Sequence, residues 1–537
     1  MPQVHARLVT GAQMARIDRG AIERGVSGIR LMDNAGRGAG RVLSDLVGGF
    51  PGEKIVVLCG KGNNGGDGFV IADLAASAGA SVSAFLLAPA DQVTGDARYH
   101  LDRARKNGLE VEEIIESRDL ERIRFALSDT SAAVDALLGT GIRGGPRGIV
   151  AGAIDTLRDA ACPILAVDVP SGLDADTGRA DGPCAAATRT VTFGLPKIGQ
   201  FRFPGRSLCG TLHCVDIGLP RAAVNAEEVN VQLAAAYGCA ALLTQRPPDA
   251  HKGDCGRVVI LAGSMGFTGA AVLSAQGALR SGAGLVRVGI PESLNDILEV
   301  KLTEAMTHPL PEVRKPRCLA LRARGDIRRL VAEADCVAMG PGLGTHRETV
   351  ELVRRIVQDI QAPLVLDADG INALSGAPEC LKMRSAPTVV TPHPGEFARL
   401  AGLCTEAIRS DPIGSAQTFA GEAEVIVVLK GAPSVVAVPG GCTYVNPSGN
   451  AGMASGGSGD VLTGIIAALI GQGLDPETAA CLGVYMHGLA GDLCAERAAK
   501  VGLIAGDIAA ALPVARHVIE TDADKDRYIH FHALTVR

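Results

Sequence analysis

The sequence lacks several features that mark common classes of protein. Its 52 Lys and Arg residues do not outnumber its 58 Asp and Glu residues, so we expect no basic surface for nucleic acid or anionic membrane. Its 14 cysteines contain no C-x-x-C pair, which argues against a disulfide scaffold and a zinc site. The first residues have no apolar core of the kind that directs secretion. These absences favour a cytoplasmic protein with a small-molecule partner.

Aromatic residues are scarce, whereas glycine is abundant. The chain has 11 Phe, 5 Tyr and no Trp against 68 Gly, and 47% of its residues are hydrophobic. This apolar content is too high for a disordered chain. The glycines follow no strict period, so they indicate places where the backbone turns tightly or approaches a ligand. Because 537 residues exceed what one hydrophobic core usually occupies, we expect at least two domains.

Short apolar runs alternate with helix-like segments, a pattern typical of parallel sheets covered on both faces. The predicted fold class is α/β, with two three-layer α/β/α domains at residues 1–222 and 240–517 and a peripheral tail. The uncharged stretch 258–279 could span a bilayer by length, but its glycines and polar residues favour a strand, a loop and a helix. The runs that predict strands are 54–60, 81–88, 132–139, 163–172, 189–197, 211–220, 256–264, 285–291, 336–344, 362–370, 388–396 and 425–433.

Two glycine-rich segments of the first half follow predicted strands. GKGNNGGDGF (60–69) makes a turn before a helix, and backbone N–H groups at a helix start attract anions. Its glycine spacing matches a dinucleotide fingerprint, but the next strand has no acidic residue to hold a ribose. GTGIRG (139–144) also matches, and here Asp168 does end the following strand. Because this glycine pattern is common, it supports an oxidoreductase only weakly.

Three aspartates lie at or near the ends of predicted strands, where open parallel sheets place their ligand crevice: Asp67, Asp135 and Asp168. They are expected to converge. With neighbouring Asn and Ser171 side chains they would offer oxygen ligands suited to a hard cation. Each aspartate taken alone also fits a helix cap or a turn.

The motifs GNNGGDG, VDALLGTGIRG and VDVPSG together resemble the NAD(P)H-hydrate epimerase family over residues 10–220. The resemblance implies a Rossmann-like domain that interconverts the R and S epimers of hydrated NADH and NADPH, with acid or base help from Asp168. It also implies a potassium ion, held by Asn64, Asp135 and Ser171. The residues that it places around the damaged dinucleotide are Asn63, Asn64, Gly65, Gly66, Asp67, Gly139, Thr140, Gly141, Ile142, Arg143, Gly144, Gly145 and Asp168.

Another glycine-rich loop, in the second half, ends in Gly456, Gly457 and Gly459 directly before Asp460 and an apolar helix. The chain has no G-x-x-x-x-G-K-[ST] motif, so this loop is not a P-loop. A glycine loop at a helix start can still cradle phosphates, and an aspartate there can accept a hydroxyl proton during phosphoryl transfer. The alternative is that Asp460 simply caps the helix.

Two further polar residues end predicted strands of the second half. Lys430 lies where it, or the amides after it, can meet nucleotide phosphates, although an isolated lysine there is usually just solvated. His393 fits a substrate contact better than a metal ligand, because the chain has no HExxH motif.

The segments SMGFTGAA, GPGLG, DADGINAL, TPHPGE, VVLKGAP and GGSGD resemble the ADP- or ATP-dependent NAD(P)H-hydrate dehydratases, which have a ribokinase-like fold, over residues 240–515. The resemblance implies that Asp460 is the catalytic base and that ADP, or ATP, is bound with Mg²⁺. The implied nucleotide-binding residues are Lys430, Gly431, Ala432, Pro433, Ser434 and Gly459. The implied hydrate-binding residues are Ala270, Gly342, His393 and Asp460.

Both halves together resemble the bifunctional NAD(P)H-hydrate repair enzymes. The implied partners are NADH hydrate, NADPH hydrate and ADP, with no nucleic acid or membrane, and we expect a homo-oligomer. The sequence leaves three alternatives open. A small-molecule kinase would use the same loop before Asp460, and an oxidoreductase would use GTGIRG and Asp168 to bind intact NAD. A non-enzymatic binding module is the third, and the loop before Asp460 argues against it. The first two each leave one half of the chain without a role.

Overall fold

The computed structural model describes residues 6–141, 144–522 and 526–534. The chain divides into two compact units after Val229. The N-terminal unit contains residues 7–229 and 527–534, and the C-terminal unit contains residues 230–522 with 526. Within the described residues no helix is both long and apolar enough to cross a membrane.

The N-terminal unit is built on strands that all run parallel to their neighbours. Seven of them pair in the order β8-β7-β6-β5-β2-β3-β4. Alternate residues of β2 face opposite sides, so Val57 enters one apolar core and Val56 the other. Strand β1 (Ala6–Arg7), at the start of the chain, is not among them, because it lies beside β9 in the other sheet. The strands of this sheet are β2 (Lys54–Cys59), β3 (Ser81–Leu86), β4 (Val111–Glu113), β5 (Ala132–Ala136), β6 (Ile164–Val167), β7 (Arg189–Phe193) and β8 (Thr211–Val215).

Helices cover both faces of this sheet, as the apolar runs predict. The first helix begins at a capping box in which the Thr10 hydroxyl accepts the Gln13 N–H. The helices are α1 (Gly11–Glu23), α2 (Gly28–Val47), α3 (Asn63–Ser77), α4 (Gly95–Lys106), α5 (Leu120–Leu127), α6 (Gly148–Arg158), α7 (Gly205–Leu208) and α8 (Arg221–Ala226).

The C-terminal unit has a mixed sheet. Strands β12-β11-β10-β15-β16-β17-β18 are parallel, as predicted, but β19 and β20 continue the sheet antiparallel before β9 pairs parallel to β20. The strands are β9 (Val231–Leu233), β10 (Arg257–Leu261), β11 (Leu285–Pro291), β12 (Met306–Leu310), β13 (Glu312–Val313), β14 (Cys318–Leu319), β15 (Cys336–Met339), β16 (Leu364–Leu366), β17 (Thr388–Val390), β18 (Ile426–Leu429), β19 (Ser434–Ala437) and β20 (Thr443–Asn446).

Helices α10 (Thr268–Arg280) and α19 (Ser458–Gly471) of this unit pack very closely against each other at two glycines. A Cβ on Gly464 would lie 2.0 Å from the Ser274 carbonyl oxygen, and one on Gly277 would lie 2.4 Å from the Val461 carbonyl oxygen. The helices are α9 (Ala236–Leu242), α10 (Thr268–Arg280), α11 (Asn295–Lys301), α12 (Arg324–Val331), α13 (Arg347–Asp359), α14 (Ala368–Ala373), α15 (Glu379–Lys382), α16 (Pro394–Ala401), α17 (Thr405–Ser410), α18 (Pro412–Ala423), α19 (Ser458–Gly471), α20 (Pro476–Arg497) and α21 (Ala505–Thr521). The stretch 258–279 therefore forms β10, a loop and most of α10, as the sequence predicts.

The chain ends by returning to the N-terminal unit. Strand β21 (His530–His532) pairs parallel with β8, so that His530 lies opposite His213. The rings of His530 and His532 both stack on His213, at centroid distances of 5.0 and 5.1 Å. The expected peripheral tail is wrong for these three residues, because they complete the edge of a sheet.

Candidate active sites

A cavity of about 830 Å³ lies in the N-terminal unit, at the carboxyl ends of β2, β5 and β6. This volume is in the range typical of small-molecule sites. Seven of the thirteen residues predicted to surround the dinucleotide line this cavity. They are Asn63, Asn64, Asp67, Gly139, Thr140, Gly141 and Asp168.

The remaining predicted glycines shape the backbone around the cavity. Helix α3 begins at Asn63, so Gly65 and Gly66 lie inside the helix, not in the turn where we expected them. A Cβ on Gly65 would lie 1.8 Å from the Gly60 carbonyl oxygen, and one on Gly145 would lie 2.1 Å from the Asp181 carbonyl oxygen. Gly144 has a φ of 83°, which favours glycine. Ile142 and Arg143 lie outside the described residues.

Asp168 is held in place by a buried lysine. Its backbone has a φ of 64°, in the left-handed region. Its Oδ1 atom accepts hydrogen bonds from Lys197 Nζ at 2.6 Å and from Thr192 Oγ1 at 3.2 Å. Lys197 is almost fully buried and also donates to Thr192 and to the Phe193 carbonyl. The lysine therefore fixes the Asp168 side chain through Oδ1, and no hydrogen bond to Oδ2 is found among the described residues.

Two more carboxyl groups line the same cavity, and sequence reasoning missed one of them. Burial raises the pKa of Asp67 well above its ordinary value, and the charges of Asp168 and Asp18 raise it further. Burial also raises the pKa of Asp18 to about 6, although Lys197 opposes this shift. Asp18 and Lys197 lie outside the glycine motifs. In the sequence, Asp18 is only a charged residue beside the apolar residues of α1, and Lys197 is only the last residue of the run 189–197 that contains β7.

Two of the three predicted potassium ligands, Asp135 and Ser171, are in direct contact. Asp135 is fully buried in β5 and does not line the cavity. Its carboxylate accepts hydrogen bonds from the Ser171 amide at 2.7 Å and the Ser171 hydroxyl at 2.5 Å. Burial raises the pKa of Asp135 to about 6, and the groups that lower it are hydrogen-bond donors, not a cationic side chain. A buried carboxylate with oxygen neighbours and no basic partner among its perturbing groups fits a monovalent cation.

In the C-terminal unit, Asp460 lies in the first turn of α19. The cap of this helix is Gly457, whose φ is 92°, and no side chain caps it. The alternative that Asp460 is the helix cap is therefore wrong. Burial raises the pKa of Asp460 to about 7, helped by the nearby Asp367 carboxylate and opposed by Lys430. An aspartate with this pKa can take up and release a proton near neutral pH.

Lys430 is fixed beside Asp460 by two carboxylates. Its Nζ lies 2.7 Å from Asp367 Oδ1 and 3.8 Å from Glu396 Oε2. The other Asp367 oxygen accepts the Thr463 hydroxyl at 2.8 Å. Burial alone would lower the pKa of Lys430, but these two carboxylates raise it, so the lysine stays charged. The alternative of a merely solvated lysine is wrong, and Asp367 and Thr463 are the partners that sequence reasoning did not single out.

The other predicted residues of this unit occupy two loops and a helix cap. A Cβ on Gly342 would lie 3.1 Å from Ala270 Cβ, so these two predicted hydrate contacts are neighbours. His393 caps α16, with Nδ1 accepting the Gly395 N–H at 3.0 Å, while half of the ring is exposed. The predicted nucleotide residues after Lys430 form the turn between β18 and β19, in which the Ser434 hydroxyl donates to the Gly431 carbonyl: Gly431, Ala432, Pro433 and Ser434. Gly459 lies beside Lys430, because a Cβ there would be 3.2 Å from Nζ.

Comparison with known proteins accounts for both units. Residues 258–514 match the family described as NAD(P)H-hydrate dehydratase, and residues 28–199 match the family described as YjeF-related protein N-terminus. The chain is 43% identical to the bifunctional NAD(P)H-hydrate repair enzyme of Moorella thermoacetica over 522 residues, which is 96% of this chain and 98% of that protein. The chain belongs to the bifunctional NAD(P)H-hydrate repair enzymes. The Thermofilum pendens member is 38% identical over 96% of this chain and 98% of its own length.

A solved structure matches one unit of this repair enzyme. The ADP/ATP-dependent NAD(P)H-hydrate dehydratase of Bacillus subtilis, co-crystallised with ATP and Mg²⁺, is 31% identical and covers 55% of this chain and 100% of its own, with a TM-score of 0.48. The predicted family, fold class and bifunctional activity are confirmed by the full-length relatives. The alternatives of a sugar or vitamin kinase, an oxidoreductase and a binding module are wrong, because each assigns a different role to a chain whose two halves match repair enzymes.

Proposed function

We propose that the N-terminal unit interconverts the R and S epimers of NADH and NADPH hydrates, and that the C-terminal unit dehydrates the S epimer with ADP as phosphoryl donor. The observation that carries this proposal is that each unit has its own aspartate with a lysine nearby. Asp168 with Lys197 lies in the N-terminal cavity, and Asp460 with Lys430 lies at the start of α19. Epimerisation in one unit and dehydration in the other, both acting on hydrated NADH and NADPH, account for the two pairs.

In the epimerase step, the cavity would hold the damaged dinucleotide with its reacting ring near Asp168. Lys197 and Thr192 bind Oδ1 of Asp168, so Oδ2 is the atom that accepts a proton from the substrate. A potassium ion beside Asp135 and Ser171, with Asn64, would order the loops that contact the substrate. When bound, this ion supplies positive charge to a buried carboxylate and takes no part in proton transfer.

In the dehydratase step, Asp460 accepts the proton of the substrate hydroxyl while that oxygen attacks the terminal phosphorus of ADP and AMP leaves. Backbone amides of Gly457 to Gly459, at the start of α19, stabilise the charge on the transferring group. Phosphate is a better leaving group than hydroxide. Its departure, with loss of the neighbouring ring proton, restores the double bond of the dihydronicotinamide.

The charge around Asp460 explains why Mg²⁺ would accompany the nucleotide. Asp367, Glu396 and Asp369 all act on Asp460, against the single cation Lys430. This excess of carboxylates repels a bare diphosphate, and Mg²⁺ bound through phosphate oxygens and water reduces the repulsion. The nucleotide would lie along Lys430, Gly431, Ala432, Pro433, Ser434 and Gly459, and the hydrate against Ala270, Gly342 and His393. A homo-oligomer and a cytoplasmic location stay predictions.

The test uses the whole chain and separates the two activities. Hydrated NADH epimers are incubated with K⁺ alone, with ADP and Mg²⁺, or with ATP and Mg²⁺. Chromatography follows each epimer, and absorbance follows recovered NADH. We expect Asp168→Ala to lose epimerisation and keep ADP-dependent loss of the S epimer, and Asp460→Asn to show the reverse. If each variant retains the activity that we assign to its own residue, the proposed site roles are wrong.

A further inference from the structure

One carboxyl group in the epimerase cavity has no role in the reaction as described so far. Asp18 lies on α1 and lines the cavity together with Asp168, Asp67 and Lys197. Its Oδ1 atom is buried, and among the described residues no hydrogen-bond partner is found for it. Leaving a buried carboxyl oxygen without a partner costs free energy. Asp168, in contrast, has its Oδ1 bound by both Lys197 and Thr192.

The surroundings of Asp18 set its protonation. Burial raises its pKa to about 6, the charge of Lys197 opposes the shift and the charge of Asp168 adds to it. Asp67 also faces this group, since the two carboxyls act on each other. Asp18 therefore exchanges its proton close to neutral pH, and burial shifts the pKa of Asp67 upward as well.

Epimerisation of the hydrate needs one proton donor and one proton acceptor. If the ring opens, the hydroxyl proton passes to the acceptor as the N1–C6 bond breaks, the electron pair goes to N1, and the donor protonates N1. Closure on the other face reverses both transfers. If water is lost, the donor protonates the departing hydroxyl as N1 forms a double bond to C6, and the acceptor takes a proton from the water that adds to the other face. Asp168, whose Oδ1 already accepts two hydrogen bonds from Lys197 and Thr192, is assigned to the acceptor role.

We propose that Asp18 is a second catalytic residue of the epimerase site and donates the proton that complements acceptance by Asp168. The Asp18 carboxyl group lines the cavity, so its proton can pass to a ring held there, while the buried Oδ1 has no partner among the described residues that would fix the group in another role. This inference rests on the proposed epimerase activity of the N-terminal unit. It concerns a residue outside both segments that match known families, since the first of these begins at residue 28.

The test compares Asp18→Asn with Asp67→Asn in the full-length enzyme. Glu23→Gln serves as the matched control, because Glu23 is an exposed carboxylate on the same helix. Initial rates of epimerisation are measured from each epimer between pH 5 and 9, and dehydration of the S epimer is measured in the same samples. We expect the wild type to show a limb near pH 6, above which kcat/KM falls when Asp18 is the donor. Asp18→Asn is expected to lower kcat by roughly 100-fold, to change KM by less than about 3-fold and to remove that limb.

Control measurements separate a loss of chemistry in Asp18→Asn from a loss of structure. Dehydration at the wild-type rate shows that the C-terminal unit is intact, and thermal unfolding shows whether the N-terminal unit is folded. Asp18→Glu keeps the carboxyl group and is expected to retain a limb, which separates lost chemistry from lost structure. The inference is overturned if Asp18→Asn keeps more than a third of the wild-type kcat, if it loses rate but keeps the limb, or if Asp67→Asn alone removes the limb. Failure of the wild type to epimerise would overturn the proposed function instead.

Discussion

At the scale of single residues, the two sites each use an aspartate, but the two aspartates have different surroundings. Asp168 lies 2.6 Å from a buried lysine, which fixes its side chain through Oδ1. Asp460 lies among other carboxylates, and burial raises its pKa to about 7. Different surroundings of two aspartates fit them for different tasks. The first can bind and orient a cationic or proton-donating group, and the second can cycle its proton at neutral pH.

The raised pKa of Asp460 predicts a link between activity and stability. A raised pKa means that the folded protein favours the protonated form of Asp460. The charged form therefore destabilises the fold, by an amount that grows as the pH rises from the pKa of the unfolded chain, near 3.8, to the pKa of the folded protein, about 7. We expect Asp460→Asn to lose dehydration and to stabilise the C-terminal unit. That gain should increase by roughly 2 kcal/mol between pH 5 and pH 8. Calorimetry at both pH values measures it, and an equal gain at both would contradict the assignment.

Removing the lysine beside Asp168 predicts a change in the pH dependence of epimerisation. Lys197→Met keeps the length of the side chain but removes its charge. We expect the rate at pH 7 to fall by roughly 100-fold, because Oδ1 of Asp168 loses a hydrogen-bond donor, and the limb near pH 6 to move to higher pH, because the charge of Lys197 lowers the pKa of Asp18. Rates of epimer exchange from pH 6 to 9 check this, with dehydration as the internal control. A uniform loss at every pH would show that Lys197 only supports the fold.

The residues that sequence reasoning found are those with a local signal. Asp168 and Asp460 each follow an apolar run or a glycine-rich loop, so their strand-end and helix-start positions could be predicted. Asp18 has no such signal. Asp367 follows an apolar run and begins the segment DADGINAL, so its strand-end position could be predicted, but its partners could not. Asp18 is 150 positions from Asp168, and Asp367 binds the Thr463 hydroxyl across 96 positions, so only the fold brings these groups together.

At the scale of secondary-structure elements, the loop before Asp460 is positioned by the close packing of α10 against α19. A Cβ on Gly464 would meet the Ser274 carbonyl oxygen at 2.0 Å, so Gly464→Ala has to push the helices apart. We expect this change to destabilise the C-terminal unit by about 1 to 3 kcal/mol and to lower dehydration. Gly506→Ala is the control, since a Cβ on this glycine of α21 meets nothing within 4 Å. Thermal unfolding and dehydration rates of both variants give the answer, and equal effects would refute the argument.

The predicted strands show which strands an apolar run in the sequence can reveal. Each apolar run that we identified contains a strand, because a strand buried on both faces needs apolar residues at nearly every position. Strands β19 and β20 were missed because they extend the sheet antiparallel, after a turn that the resemblance assigned to nucleotide binding. Strand β4 has exposed residues and only three positions, so its pattern cannot be distinguished from a loop.

At the scale of the whole molecule, the N-terminal unit depends on a segment that follows the C-terminal unit in the chain. Removing residues 527–537 would expose the edge of β8 and the imidazole of His213. We expect this deletion to lower the unfolding temperature of the N-terminal unit and its epimerase rate, while dehydration continues. Activity assays and calorimetry on the shortened chain test this. Unchanged epimerisation would mean that the seven remaining strands suffice.

The place of β21 also has a consequence for synthesis. The ribosome releases β8 more than 300 residues before β21, which is roughly 15 to 60 s at ordinary elongation rates. During that time the first sheet has an open edge, and a message cut short anywhere before β21 leaves it open for good. The sheet of the N-terminal unit therefore gains its last strand only on ribosomes that have already made the C-terminal unit, so every chain with a complete first sheet also carries the second unit.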